Sequence, residues 1–277
     1  MKKFIKRTSL IVGGLLVLVA IIGLALYSTG MKKLNQAYPN LAVETVNIPT
    51  DANAIARGKH VTTIWTCMRC HGDDLSGMTF TNDPLSGLVP LGGKKSASNL
   101  TSGLGGIADT YTNADWIRAI RHGVMPDGHV EVFMFDYSTM SDQDLGDLIA
   151  YIKQVPPVDS SYPEMEFGLI TPLVSNIGLL TPAAERIDHN APHPADPTPD
   201  TTAEYGKYLS STCTACHGSS VGNLVNSWEQ EEFINTFKSS ILPNGRAFGP
   251  TMSSSVFTEM TDTELTALWL NFTNPKP

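Results

Sequence analysis

The sequence predicts an all-α protein in which two tandem helical units follow an N-terminal transmembrane helix. Three observations predict this class. Residues 10–27 form an uninterrupted apolar run placed behind four basic residues. Apolar residues recur at helical spacing in two matching sets, with no strand-period run of any length between them. Within each set stands one of two cysteine–histidine pentads of the same form, CMRCH (67–71) and CTACH (213–217). A chain of 277 residues is comfortable for two such cores.

The N-terminal segment, residues 1–33, comes first. Lys2, Lys3, Lys6 and Arg7 are followed by no charge until Lys32. The eighteen residues 10–27 lie at the short end of what a bilayer core requires. A cleaved signal peptide would have a shorter apolar region and a small-residue A-x-A exit, whereas Ser28-Thr29-Gly30 stands here. An uncleaved single-pass anchor is therefore favoured over a cleaved signal, and with either the body is exported to the periplasmic or extracytoplasmic face. Four basic residues before the span against Lys32 and Lys33 after it put the N-terminus in the cytoplasm. Residues 1–33 hold six of the nineteen basic residues and no acidic one, which leaves the body with 13 basic against 27 acidic residues, a formal −14. That balance argues against a nucleic-acid or anionic-lipid surface and fits a partner that presents a basic patch.

The first unit is assigned to residues 34–155 and the second to 201–277. Before the first pentad runs DANAIARGKHVTTIWT, and before the second TTAEYGKYLSST. Both read as helices, with Thr50 or Asp51 a candidate N-cap for the first. Gly58 and Gly206, each upstream of its cysteines, would let another helix approach closely; otherwise a helical glycine only costs stability. Further on, DWIRAIRHG (115–123) matches EFINTFKSS (232–240), and MSDQDLGDLIAYI (140–152) matches MTDTELTALWLNF (260–272). The last pair opens with Ser141 and Thr261, each with an acid three residues on, the pattern of a capping box. Each unit thus reads helix, pentad, loop, helix, loop, closing helix. Residues 156–200 are proline-rich and read as a linker whose apolar part, FGLITPLVSNIGLL, packs on the body. The first unit has a longer interval between pentad and next helix, 29 residues more than the second, rich in Gly, Ser and Asn.

C-x-x-C-H is the attachment sequence of c-type haem. Two sulfurs separated by two residues reach one edge of the porphyrin and form thioethers with its vinyl groups, and the histidine that follows offers an imidazole to the iron. The pentads use all four cysteines: Cys67, Cys70, Cys213 and Cys216, with His71 and His217 as ligands. A Cys₄ zinc site would space its pairs by about fifteen to twenty residues; here 142 residues lie between Cys70 and Cys213. Thioredoxin-like pairs lack the histidine and sit in a βαβ setting. Two covalently attached haem c groups are the expected cofactors.

A sixth iron ligand is needed, and a methionine thioether raises the potential towards respiratory values. It must lie in the loop before the closing helix. Met252 satisfies this in the second unit, with Met260 at the start of the helix. In the first unit Met140 aligns with Met260. Met134 lies six residues after Gly128, as Met252 lies seven after Gly245, which favours Met134; Met125, before Pro126, is its rival.

The stretches CMRCHG, SNLT (98–101), DWIRAIRHGVMPDG, LIAYIKQVPPVD, TPAAERIDH (181–189), CTACHG and EMTDTELTALWL resemble membrane-anchored dihaem cytochromes c with two class I-like domains. They are also similar to the cytochrome c subunits of membrane alcohol and gluconate dehydrogenases. In that family the segment after GV-PDG leads to a Met-Pro ligand, a place held here by Met134, with Phe135 where proline is usual. The resemblance further implies that Asn99, Thr101, Trp116 and Arg118 lie around the first haem and its propionates. It implies electron transfer between a respiratory donor and an oxidase or soluble carrier, without catalysis of its own. Two other readings stay open, a dihaem peroxidase-like enzyme with one iron open or bound by His60, His122, His129, His189 or His193, and a permanent cytochrome subunit of a membrane dehydrogenase.

Overall fold

Helix α1 (Lys2–Leu34) stands clear of the body over most of its length, and Gly30 and Leu34 near its end are buried. The computed structural model describes residues 2–80, 89–249, 252 and 254–274. Within these, the segment Phe4–Leu34 is long and apolar enough to cross a membrane.

The first pentad is carried by a helix pair. α2 (Ala52–Ile64) starts at Asp51, whose carboxylate accepts from Ala54 N at 3.0 Å. A tight break follows, then the short α3 (Cys67–His71). α4 (Val89–Gly92) lies in the long loop, α5 (Asn113–His122) follows under a full Thr112–Asp115 capping box, and α6 (Asp142–Ile152) closes the unit. α2 crosses α6 with no room for a side chain, since a Cβ on Gly58 would lie 1.9 Å from Asp147 O. The crossing buries Val61, Ile64, Leu145, Leu148, Ile149 and Ile152 in one core, and Arg57 clamps it from outside through Asp147 at 2.7 Å.

Short ladders appear that no periodic pattern announces. β1 (Met78–Thr79) pairs antiparallel with β3 (Ser96–Ala97), and β2 (Gly93–Lys94) with β4 (Glu166–Phe167). At two residues each they lie below the length at which side-chain alternation can be read. The second ladder pins the 156–200 stretch to the long loop. That stretch also holds α7 (Ile170–Asn176), which packs along α1, and a 3₁₀ turn at Ala183–Glu185. Its far end is tied down by charge. Arg121, 2% exposed, donates to Glu44 Oε1 and Asp142 Oδ1, both at 2.6 Å, and to Met140 O at 2.9 Å. Glu44 Oε2 also meets His122 Nε2 at 3.0 Å, and His122 Nδ1 lies 3.0 Å from His189 Nδ1. Burial opposes ionisation of Glu44, but the hydrogen bonds from His122 and Arg121 outweigh it and hold the carboxyl at about 2.

The later helices repeat the first arrangement. α8 (Ala203–Leu209) begins at Thr202, α9 (Ser211–His217) carries the second pentad, and a 3₁₀ segment Gly218–Leu224 follows. α10 (Gln230–Ser239), α11 (Ser254–Glu259) and α12 (Asp262–Thr273) complete the order. α8 crosses α12 as α2 crosses α6, with a Cβ on Gly206 placed 1.8 Å from Ala267 O. Past α5 and α10 the chain turns through a left-handed residue, Gly123 and Ser240, into matching bridges, Val124↔Val130 and Ile241↔Ala247.

The capping boxes differ. Thr261 and Glu264 form the complete reciprocal pair. At Ser141 only half is made, with the hydroxyl accepting from Asp144 N, because the Asp144 carboxylate accepts from Tyr208 Oη at 2.5 Å instead. That bond crosses between the units. Beside it, Trp65 meets Tyr208 edge-to-face with centroids 5.4 Å apart, and His60 Nε2 reaches Glu264 Oε1 at 2.7 Å. One continuous core cluster runs from Val46 through Trp65 and Tyr205 to Leu268.

Candidate haem-binding site

The first pentad is built by a break in the chain. Thr66 takes a left-handed conformation at φ 65°, which a β-branched residue rarely adopts, and so ends α2 and starts α3 on a new axis. On α3 the positions of Cys67, Cys70 and His71 are three and four residues apart, which places them on one helical face. Gly72, at φ 81°, then turns the chain away.

His71 is oriented by its own backbone surroundings. Its Nδ1 lies 2.8 Å from Ser98 O, an acceptor, so Nδ1 carries the hydrogen and Nε2 keeps its lone pair. Burial holds the imidazole below its ordinary range, while the Ser98 carbonyl pulls the other way. A neutral imidazole with an oriented second nitrogen is the form that ligates a metal. Burial, with the neighbouring Cys70 thiol, pushes Cys67 up to about 12. A thiol in that range is almost wholly protonated at neutral pH, which does not suit dithiol exchange.

A further observation, in the core cluster against which Cys67 packs, fits haem. Trp116 is 2% exposed and its indole Nε1 has no partner among the described residues. A buried unpaired donor costs about 1–3 kcal/mol, and a carboxylate such as a haem propionate would pair it. Cys67 and Cys70 would hold the porphyrin edge and His71 the iron. When bound, haem c supplies a one-electron Fe(III)/Fe(II) couple. The chain's part is to orient the imidazole through the Ser98 carbonyl.

The remaining candidates fall into distinct places. Asn99 is 1% exposed, donates to Val158 O at 2.7 Å and Ser160 O at 3.2 Å, and accepts from Thr101 N and Oγ1. Thr101 Oγ1 in turn accepts from Val158 N at 3.0 Å. Together they knot the long loop to the segment after α6. Arg118 donates to Asp115 Oδ1 at 2.7 Å, on its own helix. Met134 and Met252 are partly buried against the shared core cluster. Met140 and Met260 are inside it, at 0% and 2% exposure. Met125 is partly buried in the bridge region, with its N–H donating to His129 O.

In the second pentad, Cys213 and His217 lie on α9 in the same spacing, and Gly218 follows at φ 60°. The side chain of Cys216 lies outside the described residues. Two features of the first site had no side-chain signal in the sequence, the Ser98 carbonyl and the left-handed Thr66.

No curated protein matches the chain. Residues 55–156, just over a third of the chain, match the family model described as Cytochrome c, and the second pentad lies beyond that match. The matched stretch holds α2, the first pentad with its oriented histidine, and the closing helix α6; a cytochrome c domain at residues 55–156 implies covalently bound haem c and electron transfer.

Proposed function

We propose that the protein is a membrane-tethered dihaem c-type cytochrome that passes electrons between a respiratory donor and an oxidase or small soluble carrier. The observation that carries this reading is the repeated crossing. Each pentad follows a helix whose glycine lies against the backbone of a closing helix, Gly58 on Asp147 and Gly206 on Ala267. A second cytochrome c domain over residues 201–277 accounts for that repetition, with Cys213, Cys216 and His217 holding its haem.

Met134 and Met252 complete the two irons in this proposal. Both are positioned before the closing helices and packed against the core without being engulfed by it, unlike Met140 and Met260. With His/Met ligation at both irons no coordination position is open to a substrate, and the protein moves electrons only. α1 holds the body on the extracytoplasmic face, and the acidic body docks partners through a basic patch on them.

The test is the oxidised far-red spectrum of the haem-loaded protein, scanned for the sulfur-to-iron charge-transfer band and scaled to haem content. Two equivalents per chain are expected. One or none would leave an iron open or histidine-bound and favour the peroxidase-like reading.

A further inference from the structure

The residues flanking helix α7 at its two ends present apolar side chains to the outside. Leu169 is 53% exposed, Ile177 67% and Leu179 76%. No charged residue occurs between Glu166 and Glu185. On a water-facing surface such a patch is anomalous in a body otherwise so acidic.

Its position relative to α1 explains it. Pro172 lies against Gly30, where an added Cβ would fall 1.9 Å from Pro172 O. One turn further along α7, Asn176 Nδ2 donates to Leu26 O at 2.8 Å and Thr29 Oγ1 at 2.5 Å. Thus α7 runs down α1 against the chain direction. Its closing turn at Ile177, Gly178 (φ 78°) and Leu179 lies beside Leu26, within the apolar run. Leu26 is six residues before Lys32, which at 1.5 Å per residue puts the turn about 9 Å inward of that charge. Apolar faces of interfacial helices lie about 5–10 Å into the headgroup and acyl boundary.

We infer that Ile177 and Leu179 are inserted in the outer leaflet beside α1, with the acyl chains of membrane phospholipid as their partner. The inference rests on α1 crossing the membrane. The insertion gives the body a second point of attachment. Because β4 connects α7 to the long loop that holds His71 through Ser98, the first haem domain is held at a fixed attitude to the bilayer.

The experiment uses the full haem-loaded chain in phosphatidylethanolamine–phosphatidylglycerol vesicles containing a phospholipid with a diazirine near the middle of one acyl chain. After irradiation, labelled peptides are mapped by mass spectrometry. Label is expected in α1 and in residues 167–181, but not around Leu104, an equally exposed leucine elsewhere on the body at 75%. Label in α1 alone would overturn the insertion and leave the anchor standing. Label in neither would overturn both. Label in α1 with cross-links between copies at residues 169–179 would replace lipid by a second chain and also overturn it. Gly30→Val, which drives α7 from α1, is expected to lose label at 167–181 while keeping it in α1; unchanged label there would count against the geometry.

Discussion

A single methyl group at Gly206 tests the helix crossing that the second unit depends on. In an exposed helix Gly→Ala stabilises by about 1 kcal/mol through propensity alone. At Gly206 the new Cβ would lie 1.8 Å from Ala267 O, 2.3 Å from its carbonyl carbon and 2.9 Å from Leu268 N. All three are backbone atoms, so no rotamer change relieves the contact. Restoring ordinary separation needs α8 and α12 to part by roughly 1.6 Å, since ordinary contact begins near 3.4 Å. Parting them loosens Tyr205, Leu209, Leu265 and Leu268, all in the core. Overpacking with backbone shifts costs about 3 kcal/mol at the upper end of its usual range. Set against the propensity gain, Gly206→Ala should lose about 2 kcal/mol, a fall of roughly 4–8 °C in Tm. Thermal unfolding of the holoprotein by far-UV circular dichroism measures it, with Gly249→Ala as control because none of the described residues lies within 4 Å of its Cβ. A Gly206→Ala protein as stable as the parent, or more so, would refute the close crossing.

Tyr208→Phe keeps the ring against Trp65 but removes the hydroxyl that donates to the partly buried Asp144 and accepts from Ser141 N; urea unfolding should show a loss of about 1–3 kcal/mol. Asn99→Ala should cost a similar amount, about 1–3 kcal/mol, and hydrogen exchange should rise at residues 158–160, since Asn99 holds the Val158 and Ser160 carbonyls and orients the Thr101 hydroxyl to which the Val158 amide donates. Glu44 is held at about 2, against an ordinary 4.5, so its stabilising contribution is complete above 4.5 and is lost as pH falls towards 2; Glu44→Gln should flatten acid unfolding in that window. His60 is raised above 6.5, chiefly by its hydrogen bond to Glu264, so its contribution is complete below 6.5 and is lost as pH rises through the raised value. Glu264→Gln should remove that alkaline-side loss in pH-stepped unfolding.

Much of this architecture could be read from local sequence because local chemistry encodes it. The pentad spacing announces cysteine and histidine on one short helix, the glycines announce close crossings, and Thr261 with Glu264 announces a helix start. What was not legible depends on contacts between distant segments. Asp144 looked like the second half of a capping box, yet a tyrosine 64 residues away takes its carboxylate. The Glu44–Arg121–His122–His189 network joins three separate stretches that no local pattern pairs with one another. The stretch 156–200 reads as linker by its prolines, but its β4 ladder, α7 packing and His189 contact give it a fixed course over the body. The orientation of His71 comes from a backbone carbonyl, which any residue at 98 could supply.

The most direct test of the account is the haem count of the purified full-length protein, measured by intact mass under denaturing conditions and by the haemochrome absorbance per chain. Two covalently attached haems are predicted, falling to one when Cys213 and Cys216 are both replaced by serine. One haem in the parent chain, unchanged by that double substitution, would contradict the claim that residues 201–277 carry a second redox centre.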